Sequence, residues 1–179
     1  MLDVAAPLFV SDVLMTADGC DRLVSSAAWS CGWRGGAAST SAVAPQHRRP
    51  VLGVIEEAAR EATTSRWPEL ASPNGWHPSE LYMLRYHHGD HQGWHHDRHE
   101  SHPHIGDRLA SITLSVVVML SDPSRYAGGR LEVRTDAGPA AAPVDRGTVV
   151  VFPSSTEHRV TEVLAGERCS LVAFLSPNP

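Results

Sequence analysis

The amino-acid sequence predicts a mainly β protein of the α+β class, in which a sandwich or barrel follows two helices. Helical spacing of apolar residues is confined to the first 65 positions, whereas short β-rich runs separated by Gly, Pro, Asn and Asp continue from residue 68 to the end. The 179 residues are enough for one well-buried core and too few for two. We therefore expect a single domain over 1–179, with helical support in 1–79 and a β core in 80–176.

The first predicted helix spans about 16–29, because Thr16 is a suitable N-cap and apolar residues then recur at helical spacing. The next segment, 30–50, is rich in Gly, Ala, Ser and Thr and has neither a helical nor a strand period. We expect it to be a loop that can close over a pocket. Pro50 stands where a first-turn proline is tolerated, and helical spacing from there to Ser65 predicts a second helix.

Seven strands are predicted after the helices, at 80–87, 109–120, 129–134, 141–144, 148–152, 158–163 and 168–175. The longest has one wholly apolar face and one half-polar face. The apolar face carries Ala110, Ile112, Leu114, Val116, Val118 and Leu120, and the other carries Ser111, Thr113, Ser115, Val117 and Met119. This division is typical of a strand that helices cover on the outside and that lines a ligand cavity on the inside.

The charge of the chain disfavours some classes of partner, and its cysteine content indicates the compartment. The net charge is -5 and every formal cation is an arginine, which disfavours a nucleic-acid or membrane-surface partner. The opening residues lack a basic secretion signal, and no apolar run approaches the roughly 18 residues of a membrane span. Cys20, Cys31 and Cys169 are odd in number and widely spaced, as expected for reduced thiols. We expect a cytoplasmic protein.

Candidate metal ligands lie in a histidine-rich stretch. Nine of the eleven histidines fall between His77 and His104, so their density alone identifies none of them, and a solvated loop explains most. His95 and Asp97 differ because residues two apart in extended backbone share a face. His158, which follows a predicted strand and turn, is a remote third candidate. Histidine with carboxylate suits ferrous iron, manganese or zinc, and three ligands on one side of an ion leave its other positions open.

Further short motifs occur in a fixed order around these ligands. They are Tyr86 and Gly89 before His95-x-Asp97, then Gly128-Gly129-Arg130-Leu131, Asp145-Arg146-Gly147 before the strand at 148–152, His158-Arg159-Val160 and Arg168-Cys169-Ser170. With these motifs, the segment 82–174 resembles the Fe(II)/2-oxoglutarate-dependent dioxygenases, and within them the prolyl 4-hydroxylase-like group. The resemblance implies a double-stranded β-helix, a cupin-like jelly roll, with the N-terminal helices packed on the outer face of one sheet.

The resemblance also implies roles for particular residues. His95, Asp97 and His158 would bind Fe(II), and the Arg168 guanidinium would grip the far carboxylate of the cosubstrate 2-oxoglutarate. Ser170 could add a hydrogen bond to that carboxylate, Tyr86 would lie beside 2-oxoglutarate, and Leu131 would pack on its carbon chain. Members of the group often have a tyrosine near the end of the long strand, which is absent here. Ser115, Thr113 or Ser170 are the candidates to replace it.

The implied reaction uses dioxygen and 2-oxoglutarate to hydroxylate an unactivated C–H, with release of succinate and CO2. Related halogenases lack the carboxylate ligand, so Asp97 favours hydroxylation. We expect a small molecule, an amino acid or a peptidyl side chain as substrate, with the loops at 98–106 and 30–50 as covers of the pocket. Arginines at 34, 48, 49 and 98 are candidates to meet a substrate carboxylate.

Three alternatives remain open at this point. A cupin-like metal-binding protein without catalysis explains the histidines but not Arg168 and Ser170. A zinc site within 95–104 would need a helix that places His95 and His99 on one face, which the nearby Gly and Pro residues oppose. A nucleic-acid demethylase would share the core, yet the acidic charge balance disfavours it.

Overall fold

The computed structural model describes residues 7–31, 39–98 and 111–179. The predicted covering loop beyond Arg98, Arg34 and the first two positions of the predicted long strand lie outside these ranges. The helices are α1 (Ala17–Ser25) and α2 (Pro45–Ser65), with short 3-10 turns at Pro68–Leu70 and Pro123–Arg125. The strands are β1 (Phe9–Leu14), β2 (Ser39–Ala42), β3 (Trp76–Tyr86), β4 (Gln92–His95), β5 (Leu114–Met119), β6 (Tyr126–Gly128), β7 (Leu131–Thr135), β8 (Gly138–Ala141), β9 (Thr148–Pro153), β10 (His158–Val160), β11 (Val163–Gly166) and β12 (Arg168–Pro177).

Two antiparallel sheets form the body of the molecule. The large sheet has the order β1-β9-β5-β12-β3-β2, the small sheet has the order β4-β10-β7-β8, and β11 pairs with β6 in a separate ribbon. One apolar cluster joins the facing sides of the two sheets, with Leu84 and Val117 from the large sheet and Leu131 and Val133 from the small one. The mainly β prediction is confirmed.

The helices cover the other face of the large sheet. α2 packs across β1, β9 and β5, and its alanines Ala58, Ala59 and Ala62 let the helix approach the sheet closely. The predicted division of the long strand is confirmed for β5, since Val116 faces the helices and Val117 faces the small sheet. Ile112 was assigned to the wrong face: it precedes the strand, so alternation does not apply, and it packs between the sheets. Burial of each such valine side chain contributes roughly 1.5–3 kcal/mol to the free energy of folding.

The helix boundaries differ from the predicted ones. Thr16 is the N-cap of α1, as predicted, and its hydroxyl accepts a 3.1 Å hydrogen bond from the Gly19 N–H. The helix ends at Ser25, however, four residues early. α2 begins at Pro45, which occupies its first turn, so Pro50 lies inside the helix and not at its start. The polar first turn of α2 has no apolar stripe, which hid the helical period in the sequence.

Several strands were not predicted. β2 lies within the segment expected to be a loop and pairs with β3 as an edge strand, although it carries Ser-Thr-Ser-Ala. β4 is similarly polar, and β1 and β6 were also missed. The predicted strand at 158–163 divides into β10 and β11, which belong to different sheets. A short edge strand needs few apolar side chains, so its hydrophobic pattern is weak.

Candidate metal centre

Three elements bring the predicted metal ligands together at one end of the small sheet. β10 pairs with β4 in antiparallel register, and this places His158 directly opposite His95. Asp97 lies two residues beyond the end of β4, in a bend. Its backbone N–H donates a 3.1 Å hydrogen bond to the carbonyl of Ser154, which follows β9. Strand pairing and this turn therefore fix all three ligands from the backbone.

The side chains of the three residues converge on one point. One potential ligand atom from each of His95, Asp97 and His158 lies within 4.8 Å of the other two. The His95 Nε2 is 3.7 Å from Asp97 Oδ1, and the His158 Nε2 is 3.5 Å from Asp97 Oδ2. Two imidazoles and a carboxylate at these distances can hold one divalent cation on one side, which leaves room for other ligands.

Both histidines are oriented by the same backbone contact. The Nδ1 of His95 lies 2.8 Å from the Gly93 carbonyl oxygen, and the Nδ1 of His158 lies 2.9 Å from the Thr156 carbonyl oxygen. A carbonyl oxygen can only accept, so each Nδ1 carries a proton, and Nε2 is the nitrogen of each ring that can bind a metal. Burial lowers the pKa of His158 although Asp97 opposes this shift, so the neutral, ligating imidazole is favoured.

Asp97 is held by side chains as well as by its backbone. The Ser115 hydroxyl donates a 2.6 Å hydrogen bond to Asp97 Oδ2, and the Ser154 Oγ lies 3.0 Å from the Ser115 Oγ. All three residues are buried. Ser115 was predicted as a cosubstrate contact, and in the structure its hydroxyl bonds to the candidate metal ligand Asp97. Sequence reasoning missed Ser154, whose only signal was its place in the turn before His158.

A buried arginine lies deeper between the sheets. Arg168 is 2% exposed, and its Nη1 donates a 3.1 Å hydrogen bond to the Ser170 hydroxyl. Its Cζ stands 5.4 Å from the centre of the Tyr86 ring, and its Nη2 lies 3.6 Å from the Met119 sulfur. Within the described ranges, no carboxylate lies within ion-pair distance of this guanidinium. A buried charge left without a counter-charge costs several kcal/mol, so the arrangement favours an anionic ligand beside Arg168.

The other predicted cosubstrate residues surround this arginine. Tyr86 is opposite Arg168 in the β3–β12 pair, and its hydroxyl donates a 3.1 Å hydrogen bond to the Gln92 side-chain oxygen. Burial raises the pKa of Tyr86 to about 12, so it remains a neutral phenol. Leu131 is buried in the same apolar cluster as Tyr86. Thr113 is less suitable as a cosubstrate contact in place of the absent strand tyrosine, because its hydroxyl donates to the nearby Ser111 carbonyl.

The structure gives a physical reason for Gly129 in the Gly128-Gly129-Arg130-Leu131 motif. Its φ of +59° is in the left-handed region, and a Cβ placed there would stand 2.8 Å from the Arg168 Cδ and 2.9 Å from the Val163 Cγ2. Any side chain would therefore press on the stem of Arg168 as well as strain the backbone. The glycine keeps open the space that the arginine occupies.

Tyr82 is a residue near the site that sequence reasoning missed. It lies on the same face of β3 as Tyr86, and its ring meets that of Phe174 edge to face, with centroids 5.9 Å apart. Burial, reinforced by the negative charge of Asp97, raises the pKa of the Tyr82 phenol. The alternation of residues 82, 84 and 86 was the signal that could have identified it. Tyr82 thus provides a phenol on β3, although the end of the long strand has none.

Other predicted candidates do not join the buried cluster of Arg168, Tyr86 and the three converging side chains. His87 pairs with Glu167 at 3.0 Å, and His96 is exposed. Arg48 and Arg49 are exposed on α2, on the opposite side of the large sheet from the ligands. Arg98 is exposed one residue beyond Asp97. A helical zinc site that includes His95 is excluded, because His95 lies in a strand.

Comparisons with known proteins agree with this geometry. Residues 81–176 match the model of the 2OG-Fe(II) oxygenase superfamily. A PKHD-type hydroxylase from Nitrosomonas europaea is 30% identical over 129 residues, which cover 72% of this chain and 53% of that relative. The chain spans about half the length of the curated relatives it matches, or less.

Solved structures show the same fold. A prolyl-4-hydroxylase from Pseudomonas putida matches with a TM-score of 0.71 and 17% identity, over 97% of this chain and 94% of that one. HygX from Streptomyces hygroscopicus, solved with nickel, 2-oxoglutarate and hygromycin B, matches with a TM-score of 0.71 and 13% identity, over 97% and 84% of the two chains. These likenesses confirm the predicted double-stranded β-helix. Because the family model covers more than half of the sequence, including all three converging ligands, the chain belongs to the 2OG-Fe(II) oxygenase superfamily.

Proposed function

We propose that the protein is an Fe(II)- and 2-oxoglutarate-dependent hydroxylase. The observation that carries this proposal is the convergence of ligand atoms from His95, Asp97 and His158 within 4.8 Å. Family membership supports the same chemistry. The buried Arg168, which lacks a carboxylate partner among the described residues, supports an anionic cosubstrate beside its guanidinium. The substrate would be a small molecule, an amino acid or a peptidyl side chain.

The residues present have the chemistry needed to bind both Fe(II) and 2-oxoglutarate. His95, Asp97 and His158 would hold Fe(II), and the guanidinium of Arg168 would bind the distal carboxylate of 2-oxoglutarate, with Ser170 beside it. When bound, Fe(II) with 2-oxoglutarate and dioxygen supplies the oxidising power that hydroxylates a C–H and releases succinate and CO2. The protein does not carry out this redox chemistry itself. Its contribution is to position the reactants and to keep water away from them.

The side chains around the site divide this work. Ser115 and the Ser154 carbonyl keep Asp97 aimed at the ion, and the carbonyls of Gly93 and Thr156 fix the imidazole tautomers. Leu131, Val172 and other members of the apolar cluster between the sheets would keep water away from the bound reactants. We propose Tyr82 as the phenol that faces the cosubstrate or substrate, because it lies on the same face of β3 as Tyr86, with its ring against Phe174 in the apolar cluster between the sheets.

We propose a class of substrate and not a single compound. The structural neighbours include a prolyl-4-hydroxylase and a protein solved with hygromycin B bound, and we therefore keep both a peptidyl side chain and a small molecule in the proposal. The exposed Arg98 follows Asp97 directly and is the described arginine best placed to meet an anionic substrate. Arg48 and Arg49 are withdrawn from this role because they lie behind the large sheet.

A metal-binding protein without catalysis is the weaker interpretation. Such a protein needs the three metal ligands but has no use for a buried guanidinium with a hydroxyl and an aromatic ring around it. We retain the hydroxylase for this reason.

Succinate formation tests the proposal directly. The purified protein would be supplied with Fe(II), 2-oxoglutarate and dioxygen, and screened against free amino acids, peptides and small metabolites, with Asp97→Ala as the inactive control. We expect substrate-dependent succinate above the control. Calorimetry without substrate is the second measurement, and failure of both the metal and 2-oxoglutarate to bind would overturn the proposal.

We also propose that the protein works in the cytoplasm. All three cysteines are free thiols, two of them buried, as expected in a reducing compartment. Neither described helix combines the length and apolar character needed to cross a membrane.

A further inference from the structure

A tryptophan on the outer face of the small sheet lies between two arginines. Trp94 immediately precedes His95 on β4, and because side chains alternate along a strand, it faces away from the metal ligands. The Arg134 Cζ is 4.4 Å from the centre of the Trp94 ring, and the Arg159 Cζ is 4.7 Å from it. Both guanidinium groups are within the distance of an effective cation–π interaction.

Each of the two arginines is itself held by a glutamate. Arg159 Nε donates a 2.8 Å hydrogen bond to Glu132 Oε2, and Arg134 Nη2 donates a 3.2 Å hydrogen bond to Glu157 Oε1. These four residues and Trp94 form what we call the Trp94 cluster. It spans β4, β10 and β7, so it ties the outer faces of three adjacent strands together.

The Trp94 cluster touches both strands that supply histidine ligands. Trp94 is the neighbour of His95, and Glu157 and Arg159 are the two neighbours of His158. Because His95 and His158 face each other across the β4–β10 pair, the cluster lies on the reverse side of the same pair. Any change in the spacing of these strands would change the distance between the two imidazoles.

β4 has limited strand pairing, and its ends are held by the Tyr86–Gln92 hydrogen bond and by the bond from the Asp97 N–H to the Ser154 carbonyl. It is four residues long, stands at the edge of the small sheet and pairs only with β10, with a shift of register between His158 and Val160. It also contains Gly93, which adds no side-chain contact. The backbone bonds of such a short edge strand restrain it weakly.

From these contacts we infer that Trp94 is a positioning residue for the metal site. Trp94 holds His95 at the distance from His158 that metal binding requires. The inference rests on the proposed metal site. Trp94 itself does not contact the ion. Partners behind a ligand fix its orientation, and their loss commonly weakens metal binding by about tenfold or more.

The test is a titration with Co(II), whose visible absorption reports the geometry of its ligands. Trp94→Leu removes the aromatic face, and Trp94→Phe keeps one. Trp67→Leu is the matched control, because Trp67 also lies beneath an arginine, with the Arg66 Cζ 5.8 Å from its ring centre, but packs against the outer core. We expect Trp94→Leu to bind Co(II) about tenfold more weakly with an altered spectrum. Trp94→Phe should recover most of the affinity, and Trp67→Leu should match the unmodified protein.

Other results would overturn the inference. A Trp94→Leu protein with a lowered melting temperature but unchanged Co(II) affinity and spectrum would show a structural role only. Equal losses in Trp94→Phe and Trp94→Leu would exclude the aromatic face. If Trp94→Leu fails to fold, Arg134→Met and Arg159→Met replace it, and unchanged Co(II) binding in both would refute the inference. Absence of Co(II) binding in the unmodified protein would overturn the metal site itself, which separates the two failures.

Discussion

The hydroxyl of Ser115 donates a 2.6 Å hydrogen bond to Asp97 Oδ2, and this contact ties β5, one of the two middle strands of the large sheet, to a candidate metal ligand. Asp97 alone of the three ligands lies outside a strand, so its carboxylate depends on such contacts for its direction. The interaction between Ser115 and Asp97 is therefore the most direct link between the fold and the proposed iron.

We predict that Ser115→Ala weakens metal binding about tenfold, because the carboxylate loses the donor that orients it. Anaerobic Fe(II) titration by calorimetry measures the loss. Ser170→Ala is the matched control: its hydroxyl contacts Arg168, so it should alter the 2-oxoglutarate affinity and leave the Fe(II) affinity in place. An unchanged Fe(II) affinity in Ser115→Ala would contradict the role given to this hydrogen bond.

Asp97→Ala should abolish both Fe(II) binding and succinate formation, whereas His96→Ala should leave Fe(II) binding largely intact. The two residues are adjacent, but Asp97 is buried among the ligands and His96 is exposed. Metal content after dialysis and a succinate assay distinguish them. Loss of metal in His96→Ala with retention in Asp97→Ala would show that the wrong neighbour was chosen.

Arg168→Met should raise the 2-oxoglutarate concentration needed for half-saturation by about tenfold to a hundredfold. The reason is that a hydrogen bond to a charged group contributes roughly 1.5–3 kcal/mol. Fe(II) binding should persist, because the guanidinium is not a ligand. Arg130→Met is the control, because Arg130 is exposed and belongs to the Gly128-Gly129-Arg130-Leu131 motif. The Arg130→Met protein should bind 2-oxoglutarate normally. The same requirement in Arg168→Met as in the control would remove Arg168 from the site.

The three candidate ligands that converge in the structure could be predicted from the sequence, because the prediction rests on patterns of spacing. His95 and Asp97 are two apart, and His158 and Arg168 follow the strand order of a known family. The faces of the long strand were predictable for the same reason, since alternation in β5 is regular. These features depend on local periodicity and on the order of motifs, and both are present in one chain.

The contacts that orient the ligands could not be predicted in this way. Ser115 and Asp97 are distant in sequence, and nothing in either segment specifies that their side chains meet. The polar edge strands β2 and β4 lack an apolar pattern because only part of each is covered. Trp94 resembled one more residue of a histidine-rich loop until the register of β4, β10 and β7 placed two arginines on its ring.

Gly147→Ala should destabilise the fold more than Gly89→Ala. The two glycines have nearly the same φ, +86° and +87°, so each substitution carries a left-handed strain of about 1–2 kcal/mol. Only at Gly147 would the new Cβ meet a neighbour, the Met15 carbonyl oxygen, at 2.0 Å. We expect an unfolding free energy lower by more than about 3 kcal/mol for Gly147→Ala, measured by urea titration. Equal losses would show that the contact with Met15 relaxes freely.

One of the three thiols should react much faster than the other two. Cys31 is exposed, whereas Cys20 and Cys169 are buried, and burial raises the pKa of both. A raised pKa leaves less reactive thiolate at a given pH, so this effect adds to restricted access. A disulfide reagent at neutral pH should titrate one equivalent quickly and two more after unfolding, with Cys31→Ser abolishing the fast phase. Three fast equivalents in the folded protein would contradict the buried placement.

Gly129 limits how the cosubstrate preference of this protein can be engineered. Its missing side chain leaves the room that Arg168 fills, so a library that varies position 129 alone would mostly yield variants with a displaced guanidinium. Positions 129, 163 and 168 have to be varied together, because a larger residue at the first would meet the side chains of both others. Such combined variants are the ones in which an acid other than 2-oxoglutarate could be sought.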